Sequence, residues 1–242
     1  MIYVMRHGER ADFAGPEEKD KMELSFDPHL TDLGCLQAKE CGKAIKSLTN
    51  DGFEKKYIKT KTPKYLVVSS PFLRCIMTAH NVIKSIGAEN VVEGKIFLDN
   101  AVCEHLSTNY FKKCPLSDLH VRSKGVSKYS DFPLQDGCQK EGVHFGTPSF
   151  PEPWSGDKDR DKMFLEVCRY YGNKYAEEGE VVLLIVAHGL IVENLLEMHK
   201  ALDTYDINYT CLNKIAYDEK HPLLGKLVVK QYHEHLNNVK KE

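Results

Sequence analysis

The chain reads as an α/β protein with a mostly parallel sheet and helices on both faces. Three observations predict this. Strand-like and helix-like segments alternate along the chain, the pattern of a parallel sheet covered by helices. The runs Ile2–Met5, Tyr65–Ser69 and Val181–Ala187 are almost continuously apolar, as central parallel strands buried on both sides are. Two of these runs end in the same way, the first in Arg6-His7-Gly8-Glu9 and the third in His188-Gly189. A strand that stops at such a pair delivers an imidazole where a parallel sheet opens to solvent.

The remaining elements follow in order. Thr31 to Leu48 reads as a helix capped by Thr31, with Leu33, Leu36, Ile45 and Leu48 as its apolar residues. Pro71 to Ile86 is the clearest helix: Ser70 as N-cap, Pro71 in the first turn, Gly87 after the end. Phe72, Ile76, Ala79, Ile83 and Ile86 recur along it at helical spacing. Ile96–Leu98, Lys214–Tyr217 and Leu227–Tyr232 read as further strands, the last alternating as an edge strand does. Asp159 to Glu178 is a helix ending at Gly179, and another follows His188, from Leu190 to His199. Tyr170 and Tyr171 fall at helical positions expected to be core or half-buried.

Two segments break the rhythm. Residues 11–29 are polar and rich in turn formers. Residues 107–155 hold scattered Pro, Gly, aromatic and charged residues without periodicity, and a stretch of that length inside a compact domain is usually functional or disordered. The expectation is an inserted cap over a pocket, with Trp154 as an anchor. Residues 233–242 are expected to form a fraying polar tail, and His233 and His235 within it to be solvated. The whole, 1–242, is expected to form a single domain.

Composition narrows the function. The net charge is −2, so no global basic field draws in nucleic acid, and anion binding must be local. The longest apolar run, Val181–Ala187, is far too short to span a bilayer. A first strand at Ile2 leaves no space for a leader, so a cytoplasmic or nuclear location is expected. The eight cysteines, Cys35, Cys41, Cys75, Cys103, Cys114, Cys138, Cys168 and Cys211, include no Cys-x-x-Cys pair. They are expected to be reduced thiols, with neither disulfides nor a zinc site. The lysines at 55, 56, 59, 61 and 64 read as a solvated loop.

Phosphoryl transfer needs fixed cations for the charged group, a nucleophile, and an acid for the leaving oxygen. Guanidinium suits the first task because it forks onto two oxygens and does not deprotonate. The strand ends supply each part. Arg6, His7 and Arg10 follow the first strand, Arg74 the second and His188 the Val181–Ala187 strand; Glu104 follows the segment 96–102. Each alone has a bland explanation as a surface or packing residue; it is their joint occurrence at strand ends that points to a phosphate pocket.

These residues fall in motifs that resemble the histidine phosphatase superfamily, branch 1, of phosphoglycerate-mutase-like fold. The opening Arg6-His7-Gly8 is similar to that family's signature. Leu30-Thr31-Asp32-Leu33-Gly34-Cys35-Leu36-Gln37-Ala38 resembles its Leu-Thr-x-x-Gly-x-x-Gln-Ala element. Ser70-Pro71-Phe72-Leu73-Arg74 through Thr78-Ala79 resembles its Ser-Pro-x-x-Arg-x-x-x-Thr-Ala element, and His188-Gly189 its second histidine. Within the family, Arg6 to Asp12 and Leu73 to Ile83 resemble the phosphatase domains of the suppressor of T-cell receptor signalling proteins and ecdysteroid-phosphate phosphatase.

The resemblance implies a three-layer fold and a metal-independent phosphomonoesterase without a cofactor. His7 would form the phosphohistidine. Arg6, Arg10, Arg74 and His188 would hold phosphoryl oxygens, and Glu104 would donate the proton. The substrate would be a phosphorylated small molecule or a phosphoprotein, with a tilt toward phosphotyrosine or a bulky aromatic ester. Nothing in the chain decides between monomer and homodimer.

Two alternatives use the same residues. A phosphoglycerate mutase would return the phosphoryl group to a bound product, but Arg10-Ala11-Asp12 and Phe26-Asp27-Pro28 depart from the mutase pattern. A catalytically silent phosphoprotein-binding module would usually lack the nucleophile or a clamp arginine. Secreted acid phosphatases carry His-Asp at the second histidine, where this chain has His188-Gly189.

Overall fold

The computed structural model describes residues 1–50, 63–123, 128–136, 148–152, 158–174, 181–198, 207–216, 228–232 and 234–239. The strands are β1 (Ile2–Arg6), β2 (Lys64–Ser69), β3 (Val91–Leu98), β4 (Leu134–Asp136), β5 (Val181–Ala187), β6 (Leu212–Ala216) and β7 (Val228–Tyr232). The helices are α1 (Pro16–Lys19), α2 (Asp32–Asn50), α3 (Leu73–Ile86), α4 (Leu116–Ser123), α5 (Lys158–Lys174) and α6 (Gly189–Met198). The strands form one sheet in the order β4-β3-β2-β5-β1-β6-β7. Every pair from β4 to β1 is parallel, whereas β6 and β7 add antiparallel, β7 at the edge. The mostly parallel α/β architecture expected from the sequence is therefore the one observed.

The continuous apolar runs are explained by burial on both faces. In the register Val4↔Ile185↔Val68, all three side chains face one way. There they pack against Phe164, Val167 and Tyr171 of α5 and Ile191, Val192 and Leu195 of α6. Their neighbours Met5, Val186 and Val67 face the other layer, formed by Ala38, Cys41 and Ile45 of α2 and Ile76, Ala79 and Ile83 of α3. An alternating strand could not fill both layers.

Several boundaries differ from expectation. β3 begins at Val91 rather than Ile96, because a bulge with Glu93 at φ 53° and Gly94 at φ 62° interrupts the apolar pattern. Helix α3 starts at Leu73, and Ser70 is not its cap: Phe72 takes the N-cap position, and Asp27 Oδ1 accepts from the Leu73 N–H at 2.8 Å. Gly87 closes that helix at φ 96°, as its position predicts. Thr31 caps α2 as expected, its Oγ1 accepting from Gly34 N–H at 2.9 Å. Tyr171 is core and Tyr170 packs half-buried against it.

The segment 107–155 is not wholly irregular. It contributes α4 and the strand β4, which extends the sheet parallel to β3. Three residues are too few to show strand periodicity in a sequence. A small third cluster gathers Phe72, Cys103, Leu106, Phe111, Leu116 and Leu119 between this segment and the strand ends. Trp154, Cys138 and the lysines at 55–61 lie outside the described residues.

The end of the chain is also corrected. Glu234–Asn238 forms a 3-10 turn, and His235 is buried with Nε2 3.1 Å from the Thr210 carbonyl oxygen. The cause is tertiary: the loop before β6 presents a carbonyl that one imidazole of a polar stretch can satisfy.

Candidate active site

The parallel strands β1, β2, β3 and β5 run the same way, so their C-terminal ends lie along one edge of the sheet. Arg6 of β1 aligns with Ala187 of β5, and Ser69 of β2 with Val186. The next residues, His7, Ser70 and His188, therefore meet above that edge, the usual ligand position in open α/β sheets. After β3, Asp99 accepts from Ala101 N–H at 2.9 Å and caps a 3-10 turn that delivers Glu104.

His7 is almost fully buried. Its backbone N–H donates to Ala187 O at 3.0 Å, continuing the sheet by one residue. Its Nδ1 lies 2.8 Å from the carbonyl oxygen of Gly8. A carbonyl only accepts, so Nδ1 carries the proton and Nε2 keeps a free lone pair. Burial, then the charge of Arg74, hold the imidazole pKa well below its ordinary value, with Arg6 adding to the effect. The ring is neutral at physiological pH.

The loop carrying His7 is held by the second motif. Thr31 N–H donates to Glu9 O at 3.1 Å, Thr31 Oγ1 donates to Glu9 Oε2 at 3.0 Å, and Glu9 N–H donates to Gln37 Oε1 at 2.9 Å. Gly8 and Gly34 allow the approach: a Cβ on Gly8 would stand 2.5 Å from Gly34 O, and one on Gly34 2.4 Å from Glu9 O. Thr78 completes the fastening, accepting from Gly8 N–H at 3.0 Å and donating to Arg74 O at 2.7 Å.

Arg74 lies at the centre and is 1% exposed. Its Nη2 donates to Glu104 Oε2 at 3.0 Å and to His188 Nδ1 at 3.1 Å, and its Cζ sits 4.5 Å above the Phe72 ring. Asp27, also buried, faces Nη1 at 3.8 Å. Nε and Nη1 of Arg74, and Nε of Arg6, are buried without a hydrogen-bond acceptor. Three guanidinium nitrogens of two cations left without an acceptor are costly to bury, and an oxyanion would satisfy them.

His188 Nδ1 lies between Arg74 Nη2 at 3.1 Å, which can only donate, and Glu104 Oε2 at 3.3 Å, which can only accept; the shorter contact makes Nδ1 the acceptor and directs the Nε2 proton at Ser70 Oγ 2.7 Å away. Burial pushes the His188 pKa down to about 4, against the opposing pull of Glu104. For Glu104, burial raises the carboxyl, but its charged and polar neighbours, the Arg74 guanidinium among them, win and hold it well below the usual carboxylate range. Glu104 is therefore ionised at neutral pH. His7, Glu104 and His188 also offer ligand atoms within 4.8 Å of one another, a spacing a metal ion could use. Arg74 donates to Glu104 Oε2 and His188 Nδ1 beside this cluster, and its charge favours an anion there.

Arg6 and Arg10 flank the opening. Arg6 Nη1 donates to Ile207 O at 2.6 Å, and its Cζ lies 4.3 Å from the Tyr209 ring centre. Arg10 forks onto Asp12 (Nε 2.9 Å, Nη2 2.5 Å) and lies 4.8 Å from the ring centre of Phe13, which is exposed. The structure thus brings Arg6, His7, Arg74, Glu104 and His188 together, with Arg10 nearby and turned to Asp12. Sequence reasoning missed Tyr209, Asp27 and the role of Ser70. Ser70 and Asp27 sit in quoted segments, whereas no local pattern marks Tyr209.

The mostly parallel sheet, with two strand-end histidines, a buried arginine and a carboxylate gathered at one edge, has the phosphoglycerate-mutase-like fold. Residues 2–96 match the model of the histidine phosphatase superfamily (branch 1), the family that the motifs within that span resemble. The ecdysone phosphate phosphatase of Bombix mori, solved with tungstate, is similar at TM-score 0.56 and 17% identity over 89% of this chain and 88% of that one. Phosphoglycerate mutase from Bacillus anthracis str. Sterne is similar at TM-score 0.54 and 18% identity over 96% and 91%. YhfR of Bacillus stearothermophilus is similar at TM-score 0.52 and 19% identity over 94% of each chain. These likenesses establish the fold. No curated protein matches the sequence. No helix among the described residues is long and apolar enough to cross a membrane.

Proposed function

We propose that the chain is a metal-independent phosphomonoesterase acting through a phosphohistidine on His7. The observation that carries this reading is the buried Arg74, which has unmet N–H groups beside a neutral, lone-pair-bearing His7. The family match over residues 2–96 and the fold shared with a phosphatase solved with tungstate support it.

The steps follow from the atoms present. The phosphoryl oxygens of a monoester take the free N–H groups of Arg74 and Arg6 and the charge of Arg10. His188, neutral with Nε2–H on Ser70, adds a polar wall and can reorient toward an oxygen. The His7 Nε2 lone pair attacks phosphorus, the P–O bond to the leaving group breaks, and that oxygen takes a proton from Glu104. Bound phosphate neutralises the pull of Arg74, so the Glu104 carboxyl rises and can take up the proton that a monoanionic ester brings. Water then attacks phosphorus and passes a proton to the Glu104 carboxylate. The P–N bond breaks, the electron pair returns to His7 Nε2, and inorganic phosphate leaves.

The substrate reading is a phosphorylated small molecule or phosphoprotein, with an aromatic ester favoured by the exposed Phe13 and half-buried Tyr209 rings beside the arginines. The test is hydrolysis of an aryl phosphate in excess chelator, native chain against His7→Ala. Loss of about three or more orders of magnitude in kcat supports the nucleophile. An equal rate in both proteins would sink the mechanism. Conversion of 3- to 2-phosphoglycerate without release of phosphate would make the chain a mutase instead.

A further inference from the structure

We infer that Arg160 and Glu152 are positioning residues that hold the Glu104 carboxyl in line with the leaving oxygen; this rests on Glu104 being the proton donor proposed above. Arg160 lies in the first turn of α5 and Glu152 closes the described part of the 107–155 segment, so neither belongs to a strand end. Both are buried, 3% and 5% exposed. Arg160 forks onto Glu152, Nε to Oε1 at 2.9 Å and Nη2 to Oε2 at 2.8 Å.

The rest of each side chain is spent on the backbone around Glu104. Arg160 Nη2 donates to the Glu104 carbonyl at 3.0 Å, and Nη1 donates to the Ala101 carbonyl at 3.2 Å. Glu152 Oε2 accepts from Leu106 N–H at 2.5 Å, and Glu152 N–H donates to Leu106 O at 2.9 Å. Between these anchors, His105 N–H donates to Glu104 Oε1 at 3.1 Å, while Oε2 faces Arg74. The backbone is thus held at Ala101 before Glu104, at the Glu104 carbonyl and at Leu106 after it, and the His105 N–H within this stretch orients the carboxylate. Among the described residues the segment has no sheet partner, and the ion pair supplies the hold that a strand ladder would.

A misplaced acid affects reactions in proportion to how much the leaving group needs a proton. The experiment compares native chain, Glu152→Gln and Arg160→Lys on p-nitrophenyl phosphate, whose leaving group needs little protonation, and on phenyl phosphate, whose leaving group needs more. Both variants keep side-chain size or charge, and circular dichroism checks that they fold. The expected result is a kcat loss of about 10- to 100-fold on phenyl phosphate and under about 3-fold on p-nitrophenyl phosphate, with KM little changed. An equal loss on both esters in folded variants, or no loss on either, overturns the positioning role. If both variants unfold, the double substitution Arg160→Phe with Glu152→Met, an apolar pair of similar volume, is read in the same way. Native chain inactive on both esters would instead overturn the phosphatase reading, and this inference with it.

Discussion

His7 Nδ1 stands 2.8 Å from the carbonyl oxygen of its own neighbour, Gly8. This contact decides which nitrogen can act. It ties the proton to Nδ1 and leaves Nε2 as the only lone pair, so the glycine that follows the histidine contributes its carbonyl as well as its lack of a side chain.

The Gly8–Gly34 approach is expected to be intolerant of a methyl group. Gly34→Ala places Cβ 2.4 Å from Glu9 O, and the loop must shift. A stability loss of about 1–3 kcal/mol in urea titration is expected, accompanied by a fall in kcat, since the same loop carries His7. Gly42→Ala is the control: its Cβ would meet Val82 O at 2.8 Å between α2 and α3, far from the pocket. It should lose stability and keep kcat.

Ser70→Ala removes the acceptor for His188 Nε2–H at 2.7 Å. A buried N–H left without a partner costs about 1–3 kcal/mol. Lower stability and roughly a 10-fold drop in kcat/KM are expected. Native-like values on both counts would mean that His188 is oriented by Arg74 alone.

Acid stability follows from two buried neutral imidazoles. Below about pH 6.5 the unfolded chain protonates both His7 and His188. The folded chain does not, because burial depresses both values, His188 to about 4. The unfolded state therefore binds more protons, and stability must fall as pH drops from about 6.5 toward 4. The ionised Glu104 extends the loss below the ordinary carboxylate range. Urea midpoints measured at pH 7 and pH 4.5 should fall in that order, and His188→Gln should flatten the slope. An unchanged midpoint would contradict the buried neutral ring.

Tyr209 stacks on Arg6 with Cζ 4.3 Å from the ring centre. Tyr209→Leu removes that cation–π contact, worth about 0.5–2 kcal/mol. Calorimetric titration with tungstate or phosphate should show weaker binding by about 3- to 10-fold, with the fold intact. His235→Ala should act on the same loop indirectly by releasing the Thr210 carbonyl it holds at 3.1 Å.

Much of this protein was legible before any coordinate. The apolar runs at Ile2, Tyr65 and Val181 determine central strands because only a doubly covered sheet leaves no face for polar residues. Parallel direction then puts the residues after each strand on one edge, so Arg6, His7, Arg74 and His188 converge from sequence position alone. Glu104 was readable as a candidate but not as a held carboxylate. Its orientation depends on Arg160 and Glu152, 56 and 48 positions away in the chain. The same is true of Tyr209 on Arg6, Asp27 under Arg74, the burial of His235 and the strand β4. Local periodicity reports which face of an element is apolar. Which polar group meets which across the fold, and how far burial moves a pKa, is decided only when distant segments share one dry space.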